Sequence, residues 1–468
     1  MSLSSSAPHL GSTPIHDAPP VSPAAESPVD RLVQQAPLVV LLLSVAVALS
    51  HLLLGPNFVL DDFFNVHEGI LGGPLSATTA ELAASRPGVS IAYGITFGVF
   101  GNHPLPIVIV ASLVNIASAQ LLLQTARQYL NGRVALALAA FWVVLPNHMA
   151  LEIWPSTIMI SMSLLFALTT INLLGREGVS RSAILIFAFA SSAFYEGSLP
   201  LVCLAILVVP KIRRGAIDTR LLLGGIVSQG ALAGWVLLNL PPSKAARDFI
   251  APRDVIGAFY GAGLVPPWFE AISVSAFLVS FAVLGFVAFR DRRFEAPEKL
   301  VVAGFVIMAA SVVPYLRYFF TPVGAGDRLQ YLSSIGGAAT IIGLFWAAGR
   351  SKKLVPILGV VAASGMVLLV INRVDGTRAW NQAGDDGVRI LELVEAADLD
   401  RTKPVVLGPE PVFYRGVTPF LDPSNVRPAM ATLFDDPTAS GFITFDEEAF
   451  LDEPEGQRVD IGPAVANE

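Results

Sequence analysis

The amino-acid sequence predicts an all-α polytopic membrane protein of about eleven transmembrane helices with a small extracytoplasmic α/β domain at its C-terminal end. Three observations carry this. Hydrophobic residues make up 53% of the 468 and charged residues 14%, against about 25% charged in a soluble domain. Apolar runs of near-span length recur through residues 36–374. The acidic charge is concentrated beyond residue 375.

Where lipid is the solvent, every backbone amide needs an internal partner, so a run of about 20 apolar residues reads as a helical span. Residues 1–35, rich in Ser, Pro and Ala and without periodicity, read as a disordered cytoplasmic tail. The run 36–54 follows with no convincing small-residue cleavage site and reads as a retained span. Further runs lie at 104–126, 133–150, 155–174, 182–195, 197–210, 220–240, 270–289, 300–316, 329–349 and 354–372. Residues 88–101 hold four glycines between Arg86-Pro87 and Asn102-His103-Pro104. Leaving that stretch out of the count puts 16 basic residues on the N-terminal side and seven on the other before the tail. The positive-inside rule therefore selects eleven spans, N-terminus in and C-terminus out. Residues 88–101 become a juxtamembrane helix within a first outer loop, 55–103.

The segment 375–468 carries 19 acidic and seven basic side chains. An amphipathic stretch at 379–397 and strand-like runs at Val405–Leu407 and Gly441–Phe445 predict a small α/β cap, too short and polar for a large core. The single Cys203 excludes a disulfide framework within the chain and a multi-cysteine metal site. No Gly-rich phosphate loop, internal repeat or basic aromatic-laced patch is visible, and nothing points to nucleic acid.

Ionisable groups at membrane depth cost several kcal/mol unless they line a polar cavity. In this topology they gather at the outer ends of the spans: Asp61 and Asp62 after span one, His148 and Glu152 after span three, Tyr195 and Glu196 between spans five and six. Arg317, Asp327 and Arg328 bracket the loop before span ten, with Tyr331 a turn beyond. Arg86, His67, Glu68 and His103 belong to the first outer loop. An outward-facing cavity lined by carboxylates and arginines is the economical reading. The competing readings are a solvated helix end for the aspartates, a mutual pair for His148 and Glu152 on one helix face, and arginines snorkelling to headgroups.

Five blocks, in order, resemble the GT-C superfamily of membrane glycosyltransferases, nearest to its protein O-mannosyltransferase and TMTC-like branch. They are LDDFFNVHEGIL (60–71), SRPGVSIAYGITFGVFG (85–101), FWVVLPNHMALEIWPS (141–156), SSAFYEGSLPL (191–201) and DRLQYLSSIGG (327–337). The likeness covers roughly residues 36–380. Tyr195 stands where the family has lysine, Pro146-Asn147 where its first histidine falls, and Ser333 where it has proline. The resemblance implies a polyprenyl-phosphate-sugar donor, a glycan, lipid or protein acceptor, and inversion by direct displacement with a first-loop aspartate as base. Asp61 is the first choice for that base, with Asp62 beside it. A carboxylate suits proton abstraction, and arginine's planar fork suits a phosphate. Arg328 is therefore placed on the donor phosphate, with Arg317 and Arg86 as alternates. His148, Glu152, Tyr195, Glu196, Tyr331, His67 and His103 are placed around the sugar. No cofactor is assigned, and whether a divalent cation (Mg or Mn) joins the site is left open. The expected location is a bacterial inner or plasma membrane. The alternatives are a lipid-linked polysaccharide ligase or polymerase, and a transporter or flippase of a lipid-linked sugar. Inverted repeats, the signature of many transporters, are not evident.

Overall fold

A computed structural model describes residues 27–60, 62, 66, 87–146, 148–238, 295–312, 331–397, 399, 405–408, 417, 419–420, 429–430, 443–444 and 457–460. The N-terminal tail before residue 27, the apolar run 270–289, and Asp61, His67, Arg86, Arg317 and Arg328 lie outside the described residues.

Helices follow the apolar runs. The exception is a short α1 (Pro28–Gln34), which forms within the segment expected to be a disordered tail because Ser27 caps its start and Pro28 opens its first turn; it meets α2 (Ala36–Leu52) at a bend of 76°. Then come α3 (Pro87–Phe100), α4 (Pro104–Arg127), α5 (Gly132–Val144), the single turn α6 (Ala150–Ile153), α7 (Ile158–Leu174) and α8 (Arg181–Phe194). They are followed by α9 (Leu199–Arg214), α10 (Thr219–Leu238), α11 (Ala296–Val312), α12 (Ser333–Ala348) and α13 (Val355–Ala396). Local chemistry sets their ends. Proline opens α4, α9 and α13 within the first turn, where its missing N–H is no loss. Asn131 caps α5 by accepting from the Val134 N–H at 3.0 Å. Gly215, at φ +73°, ends α9, as a left-handed terminus asks.

Among the described residues, four stretches are long and apolar enough to cross a membrane: α4, Pro155–Leu174, α10 and α13. The bent α1–α2 pair makes a fifth if taken as one span. The chain is an integral membrane protein. Helices α3, α5, α8 and α12 are apolar but shorter. For α5 the reason is local: Pro146 follows Leu145, and the residue before a proline is driven out of the helical region. On α3, Ile91, Ile95 and Val99 are exposed along one face while Val89, Tyr93 and Phe97 are buried on the other. Helices α11 and α12 approach closely. A Cβ on Gly304 or Gly336 would meet the other's carbonyl oxygen at 2.5 Å, the small-residue contact by which helices pack in lipid.

Helix α13 is 42 residues long and runs unbroken through residue 375. Its first half exposes apolar side chains on all sides, Val360, Val361 and Val367 among them. From Leu369 a stripe sinks into protein: Arg373, Thr377, Trp380, Gly384, Ile390 and Leu391 are buried. The helix thus passes from one solvent to another. Beyond it, β1 (Val405–Gly408) lies between β2 (Ile443–Thr444) and β3 (Gln457–Asp460), parallel to both. The first two strands fall on the strand-like runs of the sequence, and β3 has no counterpart there.

The largest core joins α2, α4, α5, α7, α8, α9 and α12. A second packs α3 and Phe58 against Ile390, Leu391, Phe420, Met430 and Val459. A third binds Val59 and Leu60 to Met149, Trp154, Trp380 and Val417. The C-terminal residues are therefore seated on the start of the first loop, an arrangement that places two chain regions over the ends of α2 and α7.

Candidate functional site

The site lies where α2 ends, α5 stops and α7 has yet to begin. Because α5 breaks before Pro146, its last carbonyls lack helical partners. Arg373 of α13 fills the gap, donating Nη1 to the oxygens of Leu145 at 2.9 Å and Val143 at 3.3 Å. Its other terminal nitrogen donates to Glu152. His51, at the end of α2, places Nε2 2.8 Å from Glu152 Oε2 and Nδ1 3.2 Å from Thr377 Oγ1. With the proton on Nε2, His51 donates to the carboxylate, while the Thr377 hydroxyl donates to the Arg373 carbonyl at 2.9 Å. His148 Nε2 stands 3.7 Å from Glu152 Oε1, and its ring stacks on Trp142 at 4.7 Å with planes 3° apart. His51, His148, Glu152 and Arg373 are all at least nine-tenths buried.

These four groups share little charge with water. Burial alone would raise the Glu152 carboxyl, but Arg373, His51 and His148 outweigh it and hold its pKa down at about 2. Burial lowers His148 to about 4, against the pull of Glu152. Both therefore sit in single protonation states near neutral pH, carboxylate and neutral imidazole.

A second carboxylate is fixed nearby. Asp62 is fully buried. Its oxygens accept from the Val59 N–H at 2.9 Å, from the Ser156 N–H at 2.9 Å and from Ser156 Oγ at 2.5 Å. Ser156 lies in the turn Pro155–Thr157 that leads into α7, so Asp62 caps a helix start with an anion, a favourable placement. Tyr93 of α3 donates to the Ser156 carbonyl at 2.7 Å. Leu60 is turned to φ +57°, a region a branched residue seldom occupies. It is held there by its N–H to the Pro419 oxygen at 2.8 Å and by complete burial.

The aromatic candidates connect to this cluster through α5. Trp142 Nε1 donates to Ser334 Oγ at 2.8 Å, and that hydroxyl donates to the Tyr331 carbonyl at 2.8 Å. Tyr331 is buried edge-on to Tyr195, centroids 6.0 Å apart, with its hydroxyl 3.4 Å from Ser163 Oγ. Glu196 opens the next turn and is half-buried. Thus His148, Glu152, Tyr331, Tyr195 and Glu196 fall along one connected path. His103 does not join them, being exposed at the residue before α4. Asp61, Arg328, Arg317, Arg86 and His67 lie outside the described residues. Among the described residues no three of His, Cys, Asp and Glu are arranged to hold a metal ion.

Sequence reasoning missed His51, Arg373 and Thr377. A signal existed for the first two: each is ionisable and sits at the end of an apolar run, the rule that singled out Glu152. A cavity of about 700 Å³ lies at the other end of the bundle, lined in part by Glu177, Arg181, Arg214 and Asp218. Two cations there face two carboxylates, a balance that selects no ligand charge.

The arrangement defines an integral membrane protein with a buried ionic cluster at one end of its helical bundle. Compared with models of known protein families and with curated proteins, the sequence matches none.

Proposed function

We propose that the protein is a membrane glycosyltransferase of the GT-C type, moving a sugar from a polyprenyl-phosphate donor to an acceptor hydroxyl at the extracytoplasmic face. In this reading the chain has eleven spans, with the N-terminus inside and residues 375–468 forming an α/β cap outside. One observation carries most weight: the residues on either side of Asp61 are both buried and fixed. Leu60 is held by Pro419, and Asp62 by Val59 and Ser156. A base works when its backbone is held against its target, and Asp62, with both oxygens occupied, is committed to Val59 and Ser156, so the role of base is assigned to Asp61.

The remaining roles follow from chemistry. Asp61 takes the acceptor proton as the hydroxyl attacks the anomeric carbon, and the phosphate leaves with the bonding pair. Arg328, Arg317 and Arg86 are the groups suited to receive that phosphate. Glu152 and His148 are committed to Arg373, His51 and Trp142, so they position the floor of the cavity and the loop above it. Tyr195, Glu196 and Tyr331 form the wall towards α12.

The test uses membranes carrying the full chain and polyprenyl-phosphate mannose or glucose labelled in the sugar. Label should move from the lipid to protein, glycan or a second lipid. Asp61→Asn should lower transfer by at least ~100-fold while the protein still retains the labelled donor. Undiminished transfer in Asp61→Asn would overturn the assignment of the base. Passage of the intact labelled lipid across the bilayer, with no transfer, would overturn the enzyme reading in favour of a flippase.

A further inference from the structure

Next to Glu152, between α2, α4 and α5, lies a cavity of about 20 Å³ lined by Ser44, Ser112, Asn115, Trp142 and Glu152 together with apolar side chains. Two of its polar atoms have no partner, Ser112 Oγ and Asn115 Oδ1, on residues 5% and 8% exposed. Most of the others are engaged. Ser44 Oγ donates to the Val40 oxygen at 2.8 Å, Asn115 Nδ2 to the Leu151 oxygen at 2.8 Å, and Trp142 Nε1 to Ser334. Glu152 Oε2 is shared by His51 and Arg373, whereas Oε1 has His148 at 3.7 Å, beyond hydrogen-bonding range.

Buried polar atoms are nearly always satisfied, by protein or by ordered water. A void needs about 10–15 Å³ and two or more polar neighbours to hold one water molecule. This cavity meets both conditions. We propose that it binds a single water, which donates to Asn115 Oδ1, exchanges a hydrogen bond with Ser112 Oγ, and joins α4 to the Glu152 carboxylate. The charge balance selects water over a cation. Glu152 is already neutralised by Arg373, and three oxygens, those of Ser112 and Asn115 and Glu152 Oε1, are too few to replace a cation's hydration shell. The water extends the Arg373–Glu152–His51 network from the helix ends to the flank of α4. This holds whether or not the chain transfers sugar.

Ser112→Ala in the full-length protein separates the wet cavity from the dry one by the sign of its effect. With water bound, the change removes one of the water's partners, and the thermal unfolding midpoint in detergent should fall by about 2 °C or more. In a dry cavity it would delete an unpaired buried hydroxyl, so an unchanged or raised midpoint overturns the proposal. A structure resolved finely enough to show solvent should place one peak within about 3.2 Å of both Ser112 Oγ and Asn115 Oδ1; a vacant cavity there also overturns it. The midpoint should be equal in sodium and choline chloride. A rise specific to sodium would identify a cation instead and sink the water assignment.

Discussion

The two ends of the helical bundle use the same kinds of residue for opposite purposes. At the end where α1 begins, exposed arginines pair with carboxylates: Arg133 with the exposed Asp30 at 2.7 Å, Arg181 with the largely buried Asp218 at 2.9 Å, Arg350 with the exposed Glu295 at 2.7 Å and the buried Glu298 at 2.9 Å. Each arginine is at least two-fifths exposed. At the other end, Arg373 and Glu152 are about nine-tenths buried, bonded to each other, to His51 and to two backbone carbonyls, with His148 beside them. Exposed pairs are worth about 0–1 kcal/mol. Breaking a buried pair leaves a bare charge and costs about 3–5 kcal/mol. The difference lies in solvent access, and it makes one end a tolerant rim and the other a rigid platform.

The largest effect should come from breaking the platform. Arg373→Ala leaves Glu152 buried without its counter-charge and should cost about 3–5 kcal/mol, read by unfolding of the detergent-purified protein. The double change Glu152→Leu with Arg373→Met removes both charges and should recover most of that loss. A double variant no better than the single one would show that the pair does more than neutralise itself.

Acid should separate the two ends next. His148 has a folded pKa of about 4 against 6.5 unfolded, so the folded state binds fewer protons and stability is lost as pH falls from 6.5 through 4. The shift corresponds to a loss on the order of 3 kcal/mol. Glu152, lowered to about 2 from 4.5, adds a further loss between those two values. Asp218 is also lowered, and its contribution, present above 3.8, is lost as pH falls through its folded value. Unfolding midpoints recorded from pH 7 to 4 should therefore fall, and His148→Phe should flatten that fall. An unchanged slope in His148→Phe would remove the histidine from the explanation.

Asp62 gives a smaller effect. Asp62→Ala frees the Ser156 and Val59 amides and should cost about 1.5–3 kcal/mol, as hydrogen bonds to a charged group do. Asp61→Asn should leave stability unchanged. Equal losses at both positions would undo the division of labour between the two aspartates. Smallest of all, Arg181→Ala should change stability by less than about 1 kcal/mol, and added salt should shrink even that.

Much of this molecule was legible in one dimension. Apolar run length, proline and glycine placement, and a cap such as Asn131 depend on near neighbours in the chain, so the described helices fall where the sequence predicts them, except α1, which forms inside the segment expected to be disordered. Glu152 and His148 were legible as a pair because four residues on one face bring them together. Arg373 was not, because its partners are a carboxylate 221 residues away and the carbonyls that α5 exposes by stopping early. Nor could the sequence separate Asp61 from Asp62. Adjacent side chains of one type carry the same local propensities, and the assignment of Asp62 came from Ser156, 94 residues further on. Hydropathy is a sum over neighbours and is written in the sequence. The pairing of buried charges depends on which helix ends the bundle brings together, and only the tertiary structure decides that.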